Sequence, residues 1–213
     1  MIKLFGSARS SAAFRVRIAL NLKGLAHEHE PVNLREGRQT APQYLAINPQ
    51  GLVPTLIDGD AVLSQSIAIL EYLEERHPAP PLLPTAAVDR ARVRALSLLV
   101  ACDIHPLNNL RVLNYLTGDL GVNEEDKLAW YRHWIAVGLS AFEAHIAPHP
   151  STGKFCHGGT PTMADVCLAP QIFNAMRFEC PVAEYPTVMR VFDNCMRLTA
   201  FETARPEKQP DFV

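Results

Sequence analysis

No cysteine precedes Cys102 in this 213-residue chain, and no two cysteines stand in a C-x-x-C spacing. The first half therefore offers no dithiol. The five thiols that follow (Cys102, Cys156, Cys167, Cys180, Cys195) are odd in number and widely spaced. That pattern argues against a disulfide framework and for reduced thiols in a reducing, cytoplasmic compartment. No apolar run approaches the roughly 18 residues of a membrane-spanning helix. No basic segment followed by an apolar one opens the chain, so secretion is not expected either. An excess of one charge is also missing: 20 Lys and Arg stand against 22 Asp and Glu, a net charge of −2. Neither nucleic acid nor an anionic membrane is expected as a partner. What is present is core material, 48% hydrophobic against 20% charged, enough for a globular fold.

The first 80 residues read as a mixed α/β unit. Ile2 to Phe5 is a short apolar strand candidate, and Ala12 to Lys23 has helical spacing, with Gly24 as its stop. His27 to Asn33 is a second strand candidate and Gln39 to Ile47 a short helix. Val53 to Ile57 and Ala61 to Leu63 flank Asp58-Gly-Asp60, a hairpin signal. Ser64 to His77 is helical. The order β-α-β, then β-β-α, predicts a four-stranded mixed sheet with helices on its faces, a thioredoxin-like domain over residues 1–80. His77 to Pro84 holds four prolines in eight residues and marks a boundary. Beyond it strand signals vanish, and residues 88–213 are expected to form an all-α domain. Its helices fall at Val88–Thr117, interrupted by Pro106, then Glu124–Ala147, Thr162–Ala175 and Pro186–Leu198, before a polar tail.

Three segments of the first domain could carry chemistry. The loop Ser7 to Ser11 sits between a strand and a helix N-terminus, where free amides and a partial positive charge favour an anion. Ser10 or Ser11 either caps that helix or donates a hydrogen bond to a thiolate. Val53-Pro54 is either a cis bond that turns the Val53 backbone toward an extended peptide or an ordinary strand entry. Gln65 and Ser66 open the next helix, as anion ligands or as caps. Arg9, Arg111 and Arg177 are candidate carboxylate clamps, whereas Arg90, Arg92 and Arg94 read as a solvated helix edge. His105, before Pro106, either lines a cleft or packs. Neither His27 with His29 nor His145 with His149 makes a metal site. Thr162-Met-Ala-Asp165 is a capping box with Asp in the usual Glu position, and reads as structural.

The stretch Ser10-Ser-Ala-Ala-Phe-Arg-Val-Arg-Ile-Ala-Leu20 resembles the signature of the zeta class of glutathione S-transferases, and the resemblance runs over nearly the whole chain. Asn48 to Leu56 and Gln65 to Leu73 look like that class's glutathione-site segments. Cys102 to Arg111 is similar to the matching segment of bacterial maleylacetoacetate and maleylpyruvate isomerases. The resemblance implies a thioredoxin-like domain followed by an all-α domain, glutathione as cofactor, and a homodimer. It implies cis–trans isomerisation of a maleyl dicarboxylate, either maleylacetoacetate or maleylpyruvate. The alternatives are conjugation or dehalogenation of small electrophiles such as α-haloacids, and a non-catalytic interaction protein on the same fold. By position, Ser10 with Ser11 would stabilise the thiolate, and Val53, beside a cis Pro54, would pair with the peptide backbone. Gln65 and Ser66 would hold the γ-glutamyl carboxylate and Gln39 the glycyl end. Arg9, Arg111 and Arg177 would bind the dicarboxylate, with His105 and Asn109 lining the same cleft. The sequence departs from the class at Ala12 and Ala13, where a cysteine and a serine are usual.

Overall fold

In the computed structural model, which describes residues 1 to 212, the chain opens β1 (Ile2–Gly6), α1 (Ser11–Leu22), β2 (His27–Pro31), α2 (Pro42–Leu45), β3 (Thr55–Asp58), β4 (Ala61–Ser64), α3 (Ser66–Arg76). Along β1 every second residue is buried, the period of a strand with one face on a core. The sheet order is β2-β1-β3-β4. β2 lies parallel to β1, as the intervening helix allows, while β3 is antiparallel to β1 and to β4. Gly59, at φ +60°, turns the β3–β4 hairpin. The helix expected over Gln39–Ile47 is split into a 3-10 turn, Arg38–Thr40, and α2. Pro42 has no N–H to continue a helix and holds Ala41 extended at φ −67°, ψ 143°.

α1 is buried on nearly every side. Phe14, Val16, Ile18, Ala19 and Leu20 supply the apolar surface, and Arg15 and Arg17, each 1% exposed, are enclosed with them. Lys23, just past the helix, is buried too. Its Nζ donates to Glu74 Oε2 (2.9 Å) and to the carbonyls of His77 (2.7 Å) and Pro80 (3.0 Å). Glu74 Oε2 also accepts from the Leu82 amide at 2.8 Å. One enclosed ion pair thus pins the proline-rich segment to α1 and α3, with every charge hydrogen-bonded as burial demands.

A second compact unit spans Leu83–Met196. It contains α4 (Ala87–Leu98), a π-helical stretch Leu99–Ile104, a 3-10 turn His105–Asn108, α5 (Leu110–Gly118), α6 (Glu124–Ile146), α7 (Met163–Arg177) and α8 (Pro186–Met196). The long helix expected over Val88–Thr117 is therefore two helices. Pro106 cannot donate to the carbonyl four residues back, and the chain widens and then tightens around it. Gly138 of α6 admits this irregular stretch, because a Cβ there would overlap the Ile104 side chain. Arg92 is not solvated as expected. It donates to the Cys156 carbonyl (2.8 Å) and to Thr152 Oγ1 (2.9 Å), anchoring a loop.

The tail departs from the expected domain of residues 88–213. From Arg197 onward the chain belongs with the first unit, Met1–Leu82. It forms α9 (Thr199–Glu202), whose neighbourhood is tied to α1: Arg17 Nε donates to Ala204 O (3.0 Å) and Asn21 Nδ2 to Ala200 O (3.0 Å). Phe201 and Ala204 are buried.

Candidate functional site

Sheet register brings three loops of the first unit to one edge. Phe5 pairs with Thr55, and Thr55 with Ser64. Ser7–Ser10 leaves the sheet there after β1, Val53–Pro54 enters it before β3, and Gln65 leaves it after β4. Two of these loops run directly into the N-termini of α1 and α3, whose first amides have no partner within the helix. Neither helix has an acidic residue in its first turn, so the positive end of each remains available to an anion.

Ser10 is the N-cap of α1, and its Oγ accepts from the Ala13 N–H at 3.2 Å. Having accepted, the hydroxyl still has its own hydrogen to donate. Cap and thiolate donor are therefore compatible roles for one side chain. Ser11, the first residue of α1, is buried at 5% exposure. Ser66 occupies the same place in α3, also buried, and its Oγ accepts from Arg15 Nη1 at 3.2 Å. That bond ties the two helix starts together. Composition did not single out Arg15. The available signal was its spacing, three from Ala12 and four from Ala19, which puts a cation on an apolar helix face.

The Val53-Pro54 bond is cis. The residues beside Val53 are fixed: Leu52 O accepts from Tyr44 Oη (2.7 Å) and Asn48 Nδ2 (2.8 Å), and Asn48 Nδ2 also donates to Thr55 Oγ1 (3.1 Å). Gln65 sits at φ +69°, one of two non-glycine residues in the left-handed region among those described. Such strain persists where the surroundings enforce it, often at ligand clamps. Its Nε2 donates to Gln50 Oε1 at 2.9 Å, which adds Gln50 to the edge. Gln50 lies in the turn that the Gly51 amide closes on the Asn48 carbonyl (3.0 Å), inside the Asn48–Leu56 segment. Gln39 lies beside the same turn. Gly51, at φ +63°, is so close that a Cβ would stand 3.3 Å from the Gln39 carbonyl. Gln39 Oε1 is buried with no hydrogen-bond partner among the described residues. Arg9 follows the buried Ala8, and its guanidinium lies 5.0 Å from the centre of the Phe212 ring.

In the second unit His105 begins the 3-10 turn, and Asn109 is the N-cap of α5, accepting from the Arg111 amide at 3.1 Å. The turn is docked on α6: Asn108 Nδ2 donates to Tyr131 O (3.1 Å) and Trp130 Nε1 to Leu107 O (2.9 Å). Tyr131 in turn stacks on Phe178, ring centres 3.9 Å apart, and the Arg177 guanidinium lies 5.1 Å from that same ring. Burial pushes the Tyr131 hydroxyl well above its usual range, with Arg177 pulling the other way. Arg111 and Arg177 are both exposed. Among the described residues no group of three His, Cys, Asp or Glu side chains is placed to hold a metal, and no helix is long and apolar enough to cross a membrane.

Known proteins share this arrangement. The family model for the glutathione S-transferase N-terminal domain matches residues 4–81, and that for the C-terminal domain matches residues 138–194. A probable maleylacetoacetate isomerase of Vibrio cholerae is 48% identical over 98% of this chain and 97% of its own. A holo structure of a maleylpyruvate isomerase, described as a bacterial zeta-class glutathione S-transferase, superposes with a TM-score of 0.97. It is 45% identical and covers 99% of this chain and 100% of that one. The maleylacetoacetate isomerase of Methylobacterium extorquens, with malonate and glutathione bound, also superposes at 0.97. It is 44% identical and covers 99% of each chain. Likeness of this extent, in sequence and in backbone together, establishes that the chain belongs to the glutathione S-transferase family, in its zeta class.

Proposed function

We propose that this protein is a glutathione-dependent enzyme that isomerises a maleyl dicarboxylate, maleylacetoacetate or maleylpyruvate, to its fumaryl form. The observation that carries the reading is the Ser10 hydroxyl at the acid-free N-terminus of α1, in a chain 44 to 48% identical over its length to isomerases of that kind. The residues of the first unit fit a small anionic peptide with a thiol. Gln39 Oε1 is a buried acceptor with no partner among the described residues, the Gln65–Ser66 start of α3 is free of acid, and Val53 precedes a cis proline.

Bound glutathione supplies a thiolate that adds reversibly to the alkene, so that the double bond becomes single, turns and re-forms. The chain's part is electrostatic and positional. Ser10 donates to the sulfur while the α1 amides favour its ionised form. Ser66 and Gln65 hold the γ-glutamyl carboxylate at the second helix start, Gln39 takes the glycyl end, and Val53 pairs with the peptide backbone. Arg9 is assigned to a substrate carboxylate and to the enolate-like charge that develops beside it. Arg111 and Arg177 are assigned to the dicarboxylate, with His105 and Asn109 beside them. Supporting these roles are the positions in the sequence and, for the first unit, the shared sheet edge. The same reading includes a homodimer, the usual assembly of the class, and a cytoplasmic location, which five cysteines outside any disulfide favour.

Assaying both maleyl substrates with and without added glutathione tests the proposal. Turnover that requires glutathione and leaves its concentration unchanged is the expected result. Stoichiometric loss of the thiol would assign the protein to conjugation or dehalogenation instead. Light scattering at twice 23.6 kDa is expected for the dimer.

A further inference from the structure

The tail that returns to the first unit lies against the loop that carries Arg9. Asp211 Oδ2 accepts from the Ala8 amide at 2.9 Å, and Asp211 Oδ1 meets His29 Nε2 at 2.9 Å. The other side of the same loop is held by Arg17, whose Nη2 donates to Ala8 O (2.9 Å) and Nη1 to Ser7 O (3.3 Å). The Ser7–Ala8 peptide is thus gripped at its N–H by the tail and at its C=O by α1. The next residue, Arg9, lies over the ring of Phe212, the neighbour of Asp211. Asp211 and His29 are mostly enclosed, with side chains 18% and 11% exposed, so their contact is little screened by water. Burial lowers Arg17 to about 10, and the Asp211 carboxylate opposes that shift, so the tail also balances the cation behind the loop.

We propose that Asp211 is a positioning residue for substrate binding: by fixing the Ala8 amide, it sets the direction in which Arg9 meets the dicarboxylate. This rests on the assignment of Arg9 to a substrate carboxylate. The grip is on the Ser7–Ala8 peptide, whose Ser7 carbonyl also accepts from the Ser10 amide at 3.0 Å, so the KM for glutathione is the control that separates Arg9 from Ser10. The grip acts on the dicarboxylate and leaves the glutathione ligands on α3 and β3 untouched.

Steady-state kinetics on the full chain tests it. Asp211→Ala is expected to raise KM for the maleyl substrate roughly tenfold, with KM for glutathione within about twofold of wild type. Asp211→Asn, which keeps an oxygen for the Ala8 amide, is expected to recover most of the loss. Should the alanine variant fold poorly, Asn and Phe212→Ala carry the measurement, the latter raising the same KM by roughly threefold. In the Arg9→Ala background, Asp211→Ala is expected to add nothing further. If Arg9→Ala raises KM but Asp211→Ala lowers only the melting temperature, or if the two effects multiply, the positioning role is refuted and the role of Arg9 stands. If Arg9→Ala leaves KM unchanged, the assignment of Arg9 fails and the proposal falls with it.

Discussion

At the start of α1 the chain places Ser10, a hydroxyl with no carboxylate in the following turn; at the start of α7 it places Thr162 with Asp165. Both helices are deeply buried, and both face the problem of unsatisfied first amides. At α7 the problem is solved internally. Asp165, fully enclosed, accepts from the Thr162 amide and hydroxyl and from the Cys156 amide, each at 2.8 Å. Burial pushes its carboxyl above the usual range, and those hydrogen bonds hold it back. At α1 a neutral hydroxyl satisfies one amide, and the helix field stays uncancelled. The difference teaches that a missing acid at a helix start is as informative as a present one. A start with its own carboxylate is a structural joint, and one without it can work on a ligand.

The contrast can be broken from either end. Asp165→Ala is expected to have the largest effect, about 3 kcal/mol or more of stability, because three enclosed donors lose their acceptor. Chemical denaturation would show it, and a loss under about 1 kcal/mol would mean the joint is not closed by this residue. Ser10→Ala should lower kcat/KM on the order of 100-fold while costing only about 1 kcal/mol of stability as a lost cap. Weaker thiolate stabilisation raises the thiol pKa, so the acid limb of the pH–rate profile should move to higher pH. An unshifted profile would remove Ser10 from the chemistry. Ala12→Asp makes α1 resemble α7 by adding an acid to its first turn. It is expected to stabilise the helix by about 0.5 kcal/mol, read as a slightly higher melting temperature, yet to lower turnover roughly tenfold. Opposite signs in the two measurements would separate ligand field from helix stability. The smallest effect is expected of Ala12→Cys, which restores the residue usual in the class. Less than about twofold in kcat is expected, because the sulfur is stabilised by Ser10 and the helix end. A tenfold gain would show that the usual cysteine contributes and that this chain works without it.

Most of the first unit's secondary structure was legible because its signals are local. The apolar run Ile2–Phe5, the Asp-Gly-Asp turn and the helical spacing within Ala12–Lys23 each declare themselves within a few residues. Ser10, Pro54 and Ser66 stand out as candidates for the same reason, since each lies at the start of an element. Partnerships between distant side chains were not. Arg15 with Ser66 and Gln65 with Gln50 depend on packing that periodicity does not encode. Asp211 lies 203 residues from Ala8, in a tail without an apolar repeat. A polar tail does not say which side chain will pair, and only the folded chain gives Asp211 its partners. Pro106 correctly announced a break, but where the helix would give way depended on the space that Gly138 leaves beside Ile104.

The closure of the first unit by residues from the far end of the chain bears on how the protein is made. As synthesis proceeds, the sheet and α1 emerge early, yet the acceptors for Arg17, Asn21 and the Ala8 amide lie 187, 179 and 203 residues further along and emerge much later. Residues 83–196 have time to collapse by themselves while the opening unit waits, half-dressed, for its final strap. A fragment cut after Leu82 would keep the Arg17 guanidinium but lose its Ala204 acceptor. The glutathione-side half of this molecule is therefore not a module that can be lifted out at the proline boundary.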